Sequence, residues 1–383
     1  MKKLFLALIM VVSLLALFAC GGGSYEIAMI TDIGDIDDQS FNQGTWEGIL
    51  EYAEENSISH KYYKPSSQSL DDYVAAIDLA IEGGAKVVVT PGFLFENAIH
   101  KSQSLHPEVT FILLDGSPHN VTKWDDAATP EVDETETYDG EAPDSTIADN
   151  TLSIFFNEHE SGFFAGYAAY KDGLTSLGFV GGLAVPAVVR FGVGFVAGAY
   201  FAAEEEGDTS YAFDDNYYMY AGGFAPSDTV RSTAAGWYTA GVQAIHAAAG
   251  GAGSSVMTAA EAAGAGKWVV GVDVDQASQS TKVITSAMKG LAVAVQTALA
   301  DYYADEFPGG TSITLGAADD AVGLPTATAS WRFATFTVTE YEALFDDVAD
   351  GTVVVPADAA ALATFLTGLG FTLSQDLTDA ING

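Results

Sequence analysis

The sequence predicts an α/β protein of two lobes, each a mostly parallel sheet covered by helices. Short β-rich apolar runs alternate with longer helix-like stretches, the pattern of parallel strands joined by crossover helices. The alternation stops over residues 119–150 and then resumes as a second series. At 383 residues the chain is long enough to build two cores rather than one.

In the first series, strands are expected at Glu26–Asp32, Ser59–Tyr63, Lys86–Thr90 and Thr110–Asp115. Helices fall between them at Ser40–Glu55, Leu70–Glu82 and Leu94–Ser104. Several strands end in a polar residue and a turn: Thr31-Asp32, Thr90-Pro91-Gly92 and Asp115-Gly116. Ligands of open α/β sheets bind beyond those carboxyl ends. Ser40 followed by Gln43 reads as a capping box, so a helix starts there and carries Phe41 and Asn42 in its first turn. With Asp32 at the end of strand one, a carboxylate, an amide and an aromatic ring surround one mouth. Those groups suit a ligand with hydroxyls and a flat ring. On spacing alone, Phe41 as a core residue and the aspartates as loop solvators is an equal reading.

Residues 119–150 carry nine acidic residues between Asp125 and Asp144, no basic ones, and two prolines. This composition reads as a solvated surface loop. No fixed ligand spacing such as an EF-hand loop occurs in it, and no metal site is predicted. The second series has strands at Leu152–Phe156, Leu177–Val180, Tyr217–Ala221, Ala244–Ala248 and Trp268–Asp273. Its helices fall at Glu158–Lys171, Val188–Glu205, Ser227–Ala240 and Val256–Ala262, with a last helix near Asp358–Leu369.

Lys2 and Lys3 precede an uncharged apolar run from Leu4 to Ala19, the parts of an export signal. The run is shorter than a spanning helix requires, about 20 residues. It ends in Leu17-Phe18-Ala19-Cys20, which resembles the bacterial lipobox, with Phe18 where a small residue is usual. Acylation of Cys20 would then hold the protein at a membrane. Cys20 is the only cysteine, so the folded part has no internal disulfide. Without the signal's two lysines the chain carries twelve basic against 52 acidic residues, a charge near −40. Such a surface repels nucleic acid and anionic headgroups.

Ile30–Gly48, with Asp37-Asp38-Gln39-Ser40-Phe41-Asn42-Gln43 and Trp46-Glu47-Gly48, resembles the signature of the BMP family of basic membrane lipoproteins. The likeness recurs in order at FILLDG (111–116), NEHESGFFAG (157–166) and GFVGG (178–182). It continues through Arg190-Phe191 with Gly194-Phe195 and Gly198, YAGGF (220–224), AAGGAG (248–253), GVDVDQ (271–276) and TSAMK (285–289). The resemblance, to PnrA-like purine nucleoside receptors in particular, implies a type I periplasmic-binding-protein fold, two Rossmann-like lobes with parallel sheets joined by hinge strands. It implies a lipid-anchored receptor of an ABC importer that closes on a nucleoside and presents it to a permease. The segments expected are a signal (1–19), a lipidated tether (20–25), lobe one (26–118), the acidic insertion (119–150) and lobe two (151–272). A return to lobe one (273–325) and a C-terminal segment mainly on lobe two (326–383) complete the chain.

Carried over motif by motif, Phe41 and Phe224 are the two rings that sandwich the base. Asp32 and Asn42 contact the ligand from lobe one, Asp273 and Lys289 hold the ribose hydroxyls, and Gly251 lets the backbone approach. Asp115 sits at a strand end on the cleft. No cofactor is implied, and a monomer is expected. The acidic insertion exceeds what the family usually has at that place, and is expected to cap the cleft or cover a lobe face. His246 stands where an apolar residue is expected, and reads as a buried, satisfied histidine.

Other classes fit less well. Asp32, Asp35, Asp37 and Asp38 are similar to the aspartate cluster of calcium-dependent nucleoside hydrolases, but Gly34 occupies a ligand position. No nucleophile elbow, zinc motif or phosphate loop occurs, so the chain is not read as an enzyme. A receptor for a sugar or another heteroaromatic solute, and a surface lipoprotein without transport duty, are the alternatives.

Overall fold

The computed structural model describes residues 24–32, 34–122 and 136–383. The expected signal, Cys20 and residues 123–135 of the acidic insertion lie outside the described residues.

Two six-stranded sheets form the frame. The first contains β1 (Ile27–Ile30), β2 (His60–Tyr63), β3 (Val87–Pro91), β4 (Thr110–Leu114), β5 (Thr151–Phe156) and, late in the chain, β11 (Thr311–Leu315). Their spatial order is β2-β1-β3-β4-β5-β11, all parallel. The second contains β6 (Leu177–Gly181), β7 (Tyr218–Tyr220), β8 (Ala244–Ala248), β9 (Trp268–Asp273), β10 (Val283–Lys289) and β12 (Val322–Gly323). Its order is β7-β6-β8-β9-β10-β12, and only the edge strand β12 runs antiparallel.

Parallel sheets are covered on both faces, which is why these strands are near-continuous apolar runs. In the first sheet Ala28, Ile30, Val88 and Phe111 face α2 (Leu70–Glu82) and α3 (Glu96–Leu105). Their alternating neighbours Ile27, Met29, Val87 and Ile112 face α1 (Phe41–Asn56) and α8 (Leu291–Tyr303). In the second sheet Val180, Ile245 and Val269 pack on α6 (Asp228–Ala240) and α7 (Gly253–Ala263). Phe179, Ala248 and Val270 turn the other way, towards α4 (Glu158–Lys171) and α5 (Pro186–Glu205).

α4 and α5 meet backbone to backbone. A Cβ on Gly162 or Gly166 would collide with the carbonyl oxygens of Phe191 and Phe195. One on Gly194 or Gly198 would strike those of His159 and Phe163. By length and hydropathy α5 qualifies as a membrane span, yet 72% of its apolar window is buried inside the lobe. It is the core helix of the second lobe.

The segment boundaries differ from expectation in two places. Thr151–Phe156 was expected to open lobe two but is the fifth strand of lobe one. Asn150 is the cause: its amide reaches the carbonyls of Gln103 and Val109 at 3.1 and 2.9 Å, and its own carbonyl accepts from Phe111 N–H. The chain is thereby brought back beside β4. Residues 273–325 are not a single return to lobe one either, because Val283–Lys289 pairs with β9 as a central strand of lobe two. The chain crosses between lobes at Asn157, at Gly290 and at Gly316–Ala321. The crossings are tied together: Asn157 N–H donates to Leu315 O at 2.9 Å and Gly290 N–H to Ala321 O at 2.7 Å.

The last helices close over lobe two. Tyr341 and Phe345 of α9 (Val338–Ala349) pack on Phe164 at 5.5 and 5.4 Å between ring centres, and α10 (Ala359–Gly368) places Phe365 against Phe201. The hydroxyl of Tyr220 donates to the Ile381 carbonyl on α11 (Gln375–Asn382), covering the sheet edge at β7. The described ends of the acidic insertion lie across α3. Asn97 donates to the carbonyls of His119 and Val121, Gln103 to that of Thr146, and His100 contacts Tyr138 and Asp144. These residues therefore cover a face of lobe one.

His246 on β8 is fully buried among the rings of Phe179, Phe191 and Phe195. Its Nδ1 lies 3.3 Å from the Val270 carbonyl, so that nitrogen carries the proton, and Nε2 has no partner. The histidine is buried but half satisfied. Burial pushes its pKa down to about 4. The unfolded chain binds this proton near pH 6.5, so the stabilising contribution is present above that value and is lost as pH falls towards 4. Between neutrality and about pH 5, wild type is expected to lose about 2 kcal/mol more stability than His246→Leu, measured by denaturant unfolding at each pH.

Candidate functional site

The strand ends of both sheets converge on one buried ion cluster. Lys289 closes β10, held between β9 and β12. Its Nζ lies 2.5 Å from Asp115 Oδ2, 3.4 Å from Asp273 Oδ1 and 3.6 Å from Glu158 Oε1, with 3% of the side chain exposed. Asp115 follows β4 in lobe one and Asp273 ends β9 in lobe two, while Glu158 is the first residue of α4 just after the first crossing. Arg190 in α5 donates from Nε to Glu158 Oε2 at 2.5 Å. Two cations therefore face three carboxylates, which spares each the cost of an unpaired buried charge.

The electrostatics follow from this crowding. Burial disfavours the charged lysine, but Asp115, Asp273 and Glu158 outweigh it and raise Lys289 above its ordinary value. Burial together with the Glu158 charge holds Asp115 well above the usual carboxylate range, against the pull of Lys289. Burial acts on Glu158 in the same direction, but Lys289 and Arg190 together keep it below its ordinary value and ionised. Asp115 Oδ1 and Glu158 Oε1 are buried acceptors without a hydrogen bond.

Strain collects at the same place. Asp115 and Asp273 have φ of +51° and +64°, and Gln39 has +56°. Left-handed backbone in residues with a Cβ costs on the order of 1–3 kcal/mol and persists only where surroundings impose it. Here the carboxylates are turned towards Lys289 and towards Ser40, whose hydroxyl donates to Asp273. The Gln39 carbonyl accepts from Gln276 Nε2 and Gln279 Nε2 at 2.9 and 3.0 Å, so lobe two grips the loop before α1.

That use of Ser40 overturns the expected capping box. Ser40 is the N-cap of α1 but makes no side-chain cap bond, since its hydroxyl is committed across the lobes. Asp38 does the capping, its carboxylate accepting from the N–H groups of Ser40, Asn42 and Gln43 at 2.9–3.0 Å. A carboxylate accepts more bonds than a hydroxyl and complements the positive helix end. Asn42 Nδ2 bridges Asp38 and Asp32 at 2.8 Å each, and its Oδ1 accepts from Asp32 N–H. Burial pushes Asp32 up to about 6 against these bonds.

The structure thus brings Asp32 and Asn42 together as one group and Phe41, Asp115, Asp273 and Lys289 as another. Lys289 Nζ stands 4.4 Å over the Phe41 ring, and Gly92, after β3, lies beneath that ring's edge. Phe224 follows β7 on lobe two, where a side chain on Gly182 would run into it and Gly250 lies alongside. Gly251 adjoins it, and Ala252 N–H donates to the Phe224 carbonyl. No ring contact joins Phe41 and Phe224 among the described residues. Each lobe therefore seats one half-buried ring at its strand ends beside glycine, with the polar cluster at the hinge. Sequence reasoning gave no role to Asp38, Glu158, Arg190, Gln276 or Gln279. Glu158 and Arg190 lay within recognised motifs, and their opposite charges in a base-poor chain were the available signal.

Two sheets, three crossings and facing strand ends define the type I periplasmic-binding-protein fold. A solute-binding protein of an ABC transporter from Aeropyrum pernix matches with a TM-score of 0.68 at 21% identity, covering 93% of this chain and 99% of that one. The profile of the Bmp family, described as "ABC transporter substrate-binding protein PnrA-like", matches residues 25–342. The chain belongs to this family, whose members bind a solute for a permease outside the cytoplasm and are not enzymes. Similar relatives are the ABC transporter nucleoside-binding protein BmpA of Lactococcus lactis, 28% identical over 87% of this chain and 89% of that protein. The CD4+ T-cell-stimulating antigen of Listeria monocytogenes is 29% identical over 78% and 80%.

Asp38→Ala removes two carboxylate oxygens that accept three backbone bonds at the helix start, and one anchor of Asn42. It is expected to cost about 1–2 kcal/mol in denaturant unfolding. An unchanged stability would show the cap to be redundant.

Proposed function

We propose that this chain captures a nucleoside, a purine riboside, in the cleft between Phe41 and Phe224 for an ABC importer, and is tethered by a lipid on Cys20. The observation that carries the reading is the Phe41 ring beside the buried Lys289 ammonium and its carboxylates, with Phe224 at the strand ends of the other lobe. A nucleobase is a flat polarisable surface, and stacking on an aromatic side chain contributes about 1–3 kcal/mol per base. The Lys289 ammonium stands on one side of Phe41, so a stacked base takes the other. Ribose hydroxyls both donate and accept, and a carboxylate beside the Lys289 ammonium offers an acceptor and a donor together; Asp115 Oδ1 is a buried acceptor without a partner. The nucleoside-binding name of the Lactococcus relative supports the same ligand class. Asp32 and Asn42 are assigned to the base edge, and Asp273 with Lys289 to the ribose.

Closure of the lobes on the solute gives the permease a form to distinguish from the empty receptor. A membrane-side location agrees with relatives that are basic membrane proteins.

Calorimetric titration with adenosine, guanosine, inosine, cytidine and ribose tests the ligand class. Heat is expected from the purine nucleosides, and Phe41→Ala should weaken their binding about tenfold. Ribose binding as tightly as inosine would move the assignment to a sugar receptor, and no heat from any nucleoside would end it. Fatty-acid labelling of cells expressing wild type and Cys20→Ser tests the tether. Label is expected only in wild type, and its persistence in the variant would refute acylation at that residue.

A further inference from the structure

We propose that Glu158 is a positioning residue of the solute site, its carboxylate shared between Arg190 and Lys289 so that the ammonium bonded to Asp115 is also held from the α4 side. The inference rests on the reading above in one respect, that Lys289 contacts the solute.

Three observations carry it. First, Glu158 is completely buried at the first turn of α4, where a carboxylate is costly unless it does something no apolar residue would do. Second, its pairing with Arg190 is one-sided. A guanidinium and a carboxylate that serve only each other favour a two-bond fork, with both oxygens used. Here Arg190 binds Oε2 through Nε, while Oε1 makes no hydrogen bond and instead faces Lys289 at 3.6 Å. Third, the carboxylates approach the ammonium from three separate elements: Asp115 beyond β4, Asp273 on β9 and Glu158 on α4.

The consequence is mechanical and electrostatic. The ammonium donates to Asp115 at 2.5 Å, and without Glu158 its charge would be met by Asp115 and Asp273 alone. Glu158 pulls from the α4 side and keeps the lysine between the three. Arg190 fixes Glu158 and prevents it from moving fully onto the lysine. The other titratable groups facing Glu158 and Lys289 are Asp115, Asp273, Arg190 and His159, the last kept neutral by burial, which pushes it down to about 4. The Glu158 charge is also one of the causes that hold Asp115 above its ordinary range. Removing it moves the titration of Asp115 to lower pH.

The test compares wild type with Glu158→Asp, which keeps the charge but retracts the carboxylate, and with Glu158→Gln. The double variant Glu158→Gln/Arg190→Gln removes the stranded guanidinium if the single variant unfolds. Thermal melting establishes folding for each. In the ligand-free proteins, nitrogen-detected NMR of the Lys289 ammonium is expected to shift in every Glu158 variant. Inosine titration is expected to lose at least about tenfold in affinity for Glu158→Asp, the scale on which outer-shell partners act. For Glu158→Gln and the double variant, the pH profile of binding should also move to lower pH. A folded variant with an unshifted Lys289 signal overturns the inference, as does wild-type inosine affinity with an unmoved pH profile. Failure of wild type itself to bind inosine counts against the nucleoside reading, while the ammonium signal still decides the role of Glu158.

Discussion

One buried ammonium joins the two lobes. Lys289 ends a strand of lobe two, and its nearest carboxylate, Asp115, ends a strand of lobe one. The pair is almost wholly removed from water, where attraction between charges is strong but only if every partner is placed. That condition propagates outward. Asp115 and Asp273 adopt left-handed backbone to present their oxygens, Ser40 gives up its capping role to satisfy Asp273, and Asp38 caps the helix in its stead.

The fold supplies the rigidity that such a cluster needs. Lys289 is hydrogen-bonded through its strand on both sides, and Glu158 stands at the start of a helix whose glycines lock it to α5 without room for adjustment. The crossings lie immediately beside these residues, at Asn157 and Gly290. Any change in the angle between lobes is therefore felt first at Lys289 and its partners. On the proposed assignment, binding of a solute there and a change in the lobe angle are one coupled event.

Much of this was legible in the residues. Strands such as Ala244–Ala248 and Trp268–Asp273 and the helices Leu70–Glu82 and Glu158–Lys171 are strongly patterned, and local pattern decides such elements. The strand Val283–Lys289 and the helix Leu291–Tyr303 were not read as elements, although the first carries a recognised motif. Thr151–Phe156 was read as a strand but given to the wrong lobe, since hydrogen-bond partners of parallel strands lie far away in sequence and leave no local trace. His246 was placed correctly in the interior, but its unpaired Nε2 is a property of the aromatic box around it.

What the sequence by itself determined is the alternation of elements, the family, the acidic exterior and the residue types at the strand ends. Local propensity and apolar periodicity act over a few residues, and motifs record them directly. Only the tertiary structure decided which lobe each strand joins, that Asp115 rather than Asp273 is the nearest partner of Lys289, and that Glu158 and Arg190 stand behind it. Those are relations between groups up to 174 positions apart. Distance, burial and the balance of charge settle them, and none of the three is written in the order of the residues.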